Sequence, residues 1–321
     1  MLSVPDLTDR LAAGYAKRFR VGAATITRID ELRWDDATPA KLYPNWSLSA
    51  LQAHASDLTA GSFDPGRGTL TQSIHAWLVE LQGRVVLIDT ATGNDKPIPQ
   101  APMLDRLNTP WLARLKAAGV TPDRVDRVLH THIHADHVGW NTRRDDDGDW
   151  APTFRNARHL MSRIEQRYNA SLFAGASASN LPPASLGPRD HTPTPGIYLD
   201  SVRPVIAAGL ADYVDVDGAE VGDGFSFHPT PGHSVDHASI RLRSQGEEAW
   251  FLGDTLHHPL QVYRPELRSI YCEFPEAAER SRRAMLERAA DGGALCLTTH
   301  FAESSAGRVT RRDAGYVWSF E

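Results

Sequence analysis

Hydrophobic and polar positions alternate, or gather into short apolar blocks, along much of this chain of 321 residues. Alternation over 20–29 predicts a strand. The apolar blocks 74–81 and 84–90 are separated only by Gln82 and Gly83, which predicts a β-hairpin. The same criteria predict further strands at 126–131, 224–229, 237–243, 248–253, 294–298, 307–311 and 315–319.

Helices are indicated between these groups of strands. A period near 3.6 or a start signal predicts helices at 6–18, 47–55, 110–118, 162–173 and 275–290. Thr109, Pro110 and Gly119 supply the start and stop signals of the third, and Pro275 begins the last. Strands that come in groups, with helices between the groups, predict mixed sheets covered by helices and argue against a doubly wound parallel sheet.

The chain contains no Gly- or Ser-rich linker that would separate two domains. We therefore expect an N-terminal extension at 1–19 and a single domain over 20–321, with insertions near 31–70 and 141–210. The first insertion is long for a connection inside a compact domain. It is interpreted as a lid, a pocket wall or a dimer contact, with a passive surface insertion as the alternative.

Composition narrows the class of partner. The formal net charge is -6, which gives no electrostatic reason to expect nucleic acid or an anionic membrane as a partner. Cys272 and Cys296 are too few for a disulfide framework. No signal-peptide pattern and no apolar run of about 18 residues is present. We expect a cytoplasmic protein that acts on a small molecule, with a homodimer as one possible assembly.

The 14 histidines are clustered, and the densest cluster carries the chemistry. The segment HTHIHADHVGW at 130–140 supplies His132, His134, Asp136 and His137 within six residues. Neighbouring side chains diverge, so one short segment can serve two adjacent ions. Zinc favours such nitrogen and carboxylate ligands. A metal-free histidine-rich loop is the alternative, but these groups would repel and desolvate one another without a cation.

Three more candidate ligands follow predicted strands or turns. His233 lies in TPGHSVDH, Asp254 ends the apolar strand WFLGD, and His300 follows ALCLTT. Side chains at strand ends are held on a rigid scaffold, where active-site groups are common. A single histidine after a strand is more often structural, so each of the three is weak evidence by itself.

The ordered pattern H-x-H-x-D-H, a later His, an Asp and a last His resembles the metallo-β-lactamase superfamily, as does VVLIDT, which ends at Asp89 and Thr90. The resemblance covers about residues 20–319. It implies an α+β fold, an αββα sandwich of two mixed sheets with helices on the outer faces. It also implies two divalent metal ions, zinc being the expected metal.

The resemblance assigns each ligand. His132, His134 and His233 would hold the first ion, Asp136, His137 and His300 the second, and Asp254 would bridge them. Asp89 would orient a ligand or its loop through hydrogen bonds. A hydroxide shared by the ions would attack a carbonyl carbon or phosphorus, with Asp136 also relaying a proton.

Within the superfamily, the ligand set resembles the lactonase and methyl-parathion-hydrolase-like branch. Quorum-quenching lactonases typically carry Tyr three residues after the bridging Asp, whereas this chain has His257. His257 is a candidate proton donor to the leaving group, with a structural role as the alternative. Lactone opening or ester cleavage is the favoured reaction. Aryl phosphotriester hydrolysis, hydrolytic dehalogenation, a non-catalytic metal-binding or sensing role and iron-dependent oxidoreduction remain open.

Other residues have weaker interpretations. His130 and His237 are expected to be structural. An apolar pocket lined by aromatic residues is expected beside the metals, since such sites are mostly hydrophobic. Its candidates are Trp34, Trp46, Trp140 and Tyr263.

Overall fold

The computed structural model describes residues 17–59, 61–176, 184–193 and 195–321. In chain order its strands are β1 (Arg18–Val21), β2 (Ala24–Ala37), β3 (Phe63–Asp64), β4 (Thr69–Leu81), β5 (Arg84–Ile88), β6 (Arg127–Leu129), β7 (Thr142–Arg144), β8 (Trp150–Pro152), β9 (Arg158–Ser162), β10 (Ala211–Val214), β11 (Glu220–Gly222), β12 (Phe225–Pro229), β13 (Ala238–Ser244), β14 (Glu247–Gly253), β15 (Leu295–Thr298), β16 (Ala306–Arg312) and β17 (Gly315–Phe320).

The helices lie mostly in the connections. They are α1 (Pro39–Leu42), α2 (Leu48–His54), α3 (Trp111–Ala117), α4 (Ala135–Val138), α5 (Arg163–Phe173), α6 (Pro195–Ile197), α7 (Arg203–Ala207), α8 (Leu260–Tyr263) and α9 (Pro275–Gly292). A π-helical turn at Tyr198–Val202 joins α6 to α7. Among the helices of the described residues, none combines the length and the apolar character needed to cross a membrane.

The first sheet is built around the predicted hairpin. Gln82 and Gly83 both have positive φ, 50° and 80°, as a two-residue hairpin turn requires. The strand order is β1-β2-β4-β5-β6-β9-β10, and β3 pairs with β4. Pairing is antiparallel from β1 to β5 and parallel from β5 to β10. The sheet is therefore mixed, as the grouping of strands predicted.

The second sheet follows chain order, β11 to β17. Only β14 and β15 pair in parallel, because α9 crosses between them on the outer face. Pro275 begins α9, and Gly293 ends it with a left-handed φ of 60°. Both signals are local, so the sequence predicted this helix well.

Three hydrophobic layers hold the sandwich together. Trp77 and Val79 of β4 point inward and pack with Phe227 and Phe251 of the second sheet. Leu78, on the opposite face of β4, packs under α3 with Trp111 and Leu115. Met285 and Leu286 of α9 cover the outer face of the second sheet. The order helix, sheet, sheet, helix confirms the predicted αββα sandwich.

Two sequence predictions are corrected by the fold. The strand predicted at 20–29 is interrupted by a turn between β1 and β2. Gly22 lies in this turn with a φ of 55°, and a Cβ there would lie 2.2 Å from the carbonyl oxygen of Ser244. The predicted insertion at 31–70 begins inside β2, which continues to Ala37. Its remainder contains α1, α2 and β3, which pack against α8. Residues 6–16 of the predicted first helix lie outside the described residues.

Candidate metal centre

The predicted ligands meet at one edge of the sandwich. From the first sheet, β6 ends at Leu129 and leads into the segment that carries His132 and His134. The short helix α4 follows directly and presents Asp136 and His137. From the second sheet come the other three: His233 from the β12–β13 turn, Asp254 directly after β14, and His300 two residues after β15.

The seven side chains form two groups joined by a carboxylate. His132, His134 and His233 offer ring nitrogens within 4.8 Å of one another, as do the ligand atoms of Asp136, His137 and His300. Asp254 lies between the groups. Its Oδ2 is 3.1 Å from Nε2 of His233 and 3.0 Å from Nε2 of His300, and its Oδ1 is 3.1 Å from Nε2 of His137.

These distances test whether the residues fit a metal. Two ligand atoms about 2.05 Å from one tetrahedral zinc ion lie roughly 3.4 Å apart. Nδ1 of His134 and Nε2 of His233 are 2.8 Å apart, and Nε2 of His300 is 3.5 Å from Oδ2 of Asp136. Within the described residues, Nε2 of His132, Nε2 of His137 and Oδ1 of Asp254 are buried without a hydrogen-bond partner. Such atoms fit cation ligands.

Two of the pKa shifts suit a cation, whereas at His134, His137 and His300 burial is outweighed by neighbouring carboxylates and the pKa values are raised. Burial lowers the pKa of His132 well below its ordinary value, and the neighbouring histidines lower it further. Burial acts to raise the pKa of Asp254, but the charges of His137, His300 and His233 outweigh it and hold the pKa well below its ordinary value. A neutral imidazole and an ionised carboxylate are the forms that bind metal.

Asp89 orients one of the proposed ligands through hydrogen bonds, the role that the family resemblance implied for it. Its Oδ2 accepts hydrogen bonds from Nδ1–H of His137 at 2.8 Å and from the hydroxyl of Thr131 at 2.7 Å, and its Oδ1 accepts from the backbone N–H of Thr131 at 2.8 Å. With its proton on Nδ1, His137 directs the lone pair of Nε2 toward Asp254. Asp89 has a left-handed φ of 58°, a strained conformation often found at functional sites.

Both ring nitrogens of His237 have hydrogen-bond partners, Nδ1 lying 2.9 Å from the hydroxyl oxygen of Thr230, which supports its interpretation as structural. Its Nε2 accepts a hydrogen bond of 2.9 Å from the backbone N–H of Asp254. The close approach needs Gly253, because a Cβ there would lie 2.6 Å from Nε2 of His237. His130 is also buried and structural, with Nε2 3.2 Å from the side-chain nitrogen of Asn141.

The segment 269–274, which no sequence pattern marked, supports two of the proposed ligands from behind. The thiol of Cys272 lies 3.7 Å from Nδ1 of His233, and Oε1 of Glu273 lies 3.4 Å from Nε2 of His134. Oε2 of Glu273 accepts a hydrogen bond of 2.6 Å from the hydroxyl of Tyr168. No local pattern announces these roles. The start of α9 at Pro275, directly after Glu273 and Phe274, was the nearest signal.

Glu165 was also missed. Its carboxylate accepts hydrogen bonds from the hydroxyl of Ser234 at 2.5 Å and from the backbone N–H of Asp236 at 2.8 Å, and it lies 3.4 Å from the backbone nitrogen of Ile133. It thus joins the two ligand-bearing loops, one from each sheet. Burial raises its pKa to about 7.

A cavity of about 370 Å³ opens onto both ligand groups. Asp136, Asp254 and His300 lie at its base, and its walls include Trp34, Ile98, Met103, Ile133, Ile270 and Tyr271. Of the aromatic residues predicted for a pocket, Trp34 lines it. Trp140 stacks on Trp111 in the core, and Trp46 and Tyr263 pack in the cluster around α8. The walls are mostly apolar, which suits an uncharged small molecule.

His257 lies behind Asp254. Its side chain is fully buried, it is not among the cavity-lining residues, and Nε2 lies 3.4 Å from Oδ2 of Asp254. Its ring is parallel to that of His300, with centroids 5.5 Å apart. This position favours an effect on Asp254 over direct contact with a substrate.

The fold agrees with comparisons to known proteins. The family model of the metallo-beta-lactamase superfamily matches residues 71–300, so the chain belongs to that superfamily. It is also similar to the N-acyl homoserine lactonase AttM of Azorhizobium caulinodans, with 29% identity over 135 residues. That match covers 41% of this chain and spans about two fifths of the relative, 41% of its length.

Two solved structures share the fold across nearly the whole chain. The hydrolase AbOPH of the beta lactamase superfamily has 24% identity and a TM-score of 0.74, and the alignment covers 95% of this chain and 96% of that one. AidC, a dizinc quorum-quenching lactonase in complex with a hexanoyl-homoserine product, has 18% identity and a TM-score of 0.73, with 95% and 97% covered. The predicted superfamily and fold are confirmed.

Proposed function

We propose that the chain is a hydrolase that uses two divalent metal ions, zinc being the expected metal, to open lactones or cleave carboxylic esters. The observation that carries this proposal is the convergence of two ligand groups, joined by Asp254, at the base of an apolar cavity. His132, His134 and His233 would hold one ion, and Asp136, His137 and His300 the other. Five imidazoles and two carboxylates suit zinc better than magnesium or calcium.

Two such ions, when bound, would polarise a substrate oxygen and lower the pKa of a bound water molecule toward about 7. The residues of the chain supply the remaining functions. Asp136 is 19% exposed on the cavity side, so its free oxygen can accept the proton of the attacking water. The water oxygen bonds to the carbonyl carbon, the carbon–oxygen bond of the ester breaks, and the leaving oxygen takes up that proton.

The cavity walls support the choice of substrate. They carry few charged groups beyond the proposed ligands, so a neutral acyl or aryl group is favoured over a charged one. The relatives named as N-acyl homoserine lactonases support a lactone as one such substrate. A neutral aryl phosphotriester fits the same walls and is the second candidate. The homodimer and the cytoplasmic location stay predictions.

A hydrolysis panel tests the proposal. Zinc-loaded protein is offered aliphatic lactones, acyl homoserine lactones, aryl esters and aryl phosphotriesters, and bound metal is measured by elemental analysis. We expect two zinc ions per chain and the highest kcat/KM on a lactone or an ester. Asp254→Asn should lose at least one ion and nearly all turnover, whereas the control His54→Ala, at the last residue of α2 and outside the cavity lining, should retain both.

Two results would contradict the proposal. Full turnover after exhaustive chelation would exclude the metal-dependent reaction. A protein that binds two zinc ions but cleaves no substrate of the panel would favour a non-catalytic metal-binding role.

A further inference from the structure

Tyr271 has a fixed position beside the proposed ligands. The next two residues, Cys272 and Glu273, contact His233 and His134 through their side chains. The backbone N–H of Glu273 donates a hydrogen bond of 3.0 Å to the carbonyl oxygen of His233, and that of Phe274 donates one of 2.8 Å to Gly232. The segment is therefore tied to the loop that carries His233, which limits how far Tyr271 can move relative to the ligands.

The phenol of Tyr271 faces the cavity. Its side chain lines the cavity together with Asp136, Asp254 and His300, and the residue is 39% exposed. The inner side of its ring contacts the ring of His257, with centroids 5.6 Å apart. The position of the phenol is thus set by packing on one side, while the other side is open to a small molecule.

The hydroxyl of Tyr271 has no hydrogen-bond partner among the described residues, whereas the hydroxyls of Tyr168, Tyr198 and Tyr263 are engaged with other residues. Burial, and then the carboxylates of Asp136 and Asp254, raise the pKa of Tyr271 to about 12. At neutral pH the phenol is therefore a protonated donor on a side chain that lines the cavity.

His257 does not have these properties. It is fully buried, it is absent from the cavity wall, and Nε2 of its ring lies 3.4 Å from Oδ2 of Asp254. The ring of Tyr271 lies against it. A substrate in the cavity therefore meets Tyr271, while His257 acts on Asp254.

We propose that Tyr271 donates a hydrogen bond to an oxygen of the scissile group, and that His257 is a positioning residue for Asp254. The inference rests on the proposed hydrolase function. Negative charge develops on the carbonyl oxygen and on the leaving oxygen during hydrolysis, and a donor placed there stabilises the transition state more than the ground state. No covalent step of Tyr271 is required.

Tyr271→Phe removes the hydroxyl and keeps the ring that packs on His257. We expect kcat on the best ester or lactone to fall about 10²-fold, the usual loss for one transition-state donor. KM should change less than about threefold and both zinc ions should remain bound, because the variant leaves every ligand intact. The control Tyr213→Phe, on β10 and outside the cavity wall, should match the wild type.

His257→Asn provides the contrasting variant. Because His257 acts on Asp254, its replacement should weaken the binding of at least one zinc ion, which elemental analysis after dialysis measures without any turnover. Tyr271→Phe with wild-type kcat would overturn the inference, and so would a loss of activity in Tyr271→Phe that follows a loss of zinc. A wild-type protein inactive on the whole panel would instead end the proposed function itself, and the inference with it.

Discussion

Replacing Asp89 by Asn should weaken one metal position and leave the other. The carboxylate accepts three hydrogen bonds, from the backbone N–H and hydroxyl of Thr131 and from Nδ1–H of His137. An amide has only one acceptor oxygen. If that oxygen keeps the backbone N–H of Thr131, the NH₂ group faces two other donors, and His137 is pushed toward the tautomer that carries its proton on Nε2. That proton would occupy the lone pair proposed to bind the second ion.

The expected loss of zinc affinity follows from the hydrogen bond that Asp89 makes to His137. Loss of a hydrogen-bond partner of a metal-bound histidine costs about 10- to 100-fold in metal affinity. This corresponds to about 1.4–2.7 kcal/mol. His137 belongs only to the proposed second group, so the group of His132, His134 and His233 should keep its ion.

A chelator titration measures this effect. Protein loaded with two zinc equivalents is titrated with a chelator whose zinc complex absorbs visible light, and two dissociation constants are fitted. We expect one constant to rise 10- to 100-fold and the other to stay within about threefold. Asp126→Asn is the matched control. Its carboxylate also accepts a backbone hydrogen bond, of 2.8 Å from Val85, but away from the ligands. Two unchanged constants, or two raised equally, would refute the reasoning.

Two further predictions concern stability. Gly253→Ala places a Cβ 2.6 Å from Nε2 of His237, at a backbone φ of 52° that L-residues rarely adopt. We therefore expect the free energy of unfolding to fall by about 2–4 kcal/mol and zinc binding to weaken. A urea unfolding transition unchanged from the wild type would contradict this expectation. Burial lowers the pKa of His258 to about 4, so its neutral form stabilises the fold. This contribution to the free energy of unfolding is fully present above about pH 6.5. It decreases by roughly 3 kcal/mol as the pH falls toward 4. His258→Gln should flatten the dependence of unfolding free energy on pH between 4 and 6.5; an equally steep curve would show that other groups cause it.

Local signals made most of the fold predictable. The hairpin at Gln82 and Gly83 and the start of α9 at Pro275 depend on a few neighbouring residues, and the structure confirms them. The break at Gly22 depends instead on a carbonyl group of Ser244, far away in sequence, and the alternating pattern could not show it. Where the local pattern failed to predict the structure, contacts between residues distant in sequence determine it.

The same distinction applies to the candidate site. The proposed ligands were found because they end strands in a fixed order. Cys272, Glu273 and Glu165 were missed because each acts through one contact with a residue distant in sequence, and nothing in their own neighbourhood marks it. His257 stands beside Asp254 in sequence, but only the packing shows that it faces away from the cavity.

The segment 269–274 has a consequence for how this protein can change over time. Tyr271 lines the cavity, while the adjacent Cys272 and Glu273 contact two histidines of the proposed metal site. Unlike removal of the Tyr271 hydroxyl alone, variation here that moves the backbone would also displace Cys272 and Glu273. Selection for a new substrate and selection for metal retention therefore act on three neighbouring codons. A substitution that improves binding of the new substrate will tend to need a second substitution that restores metal binding.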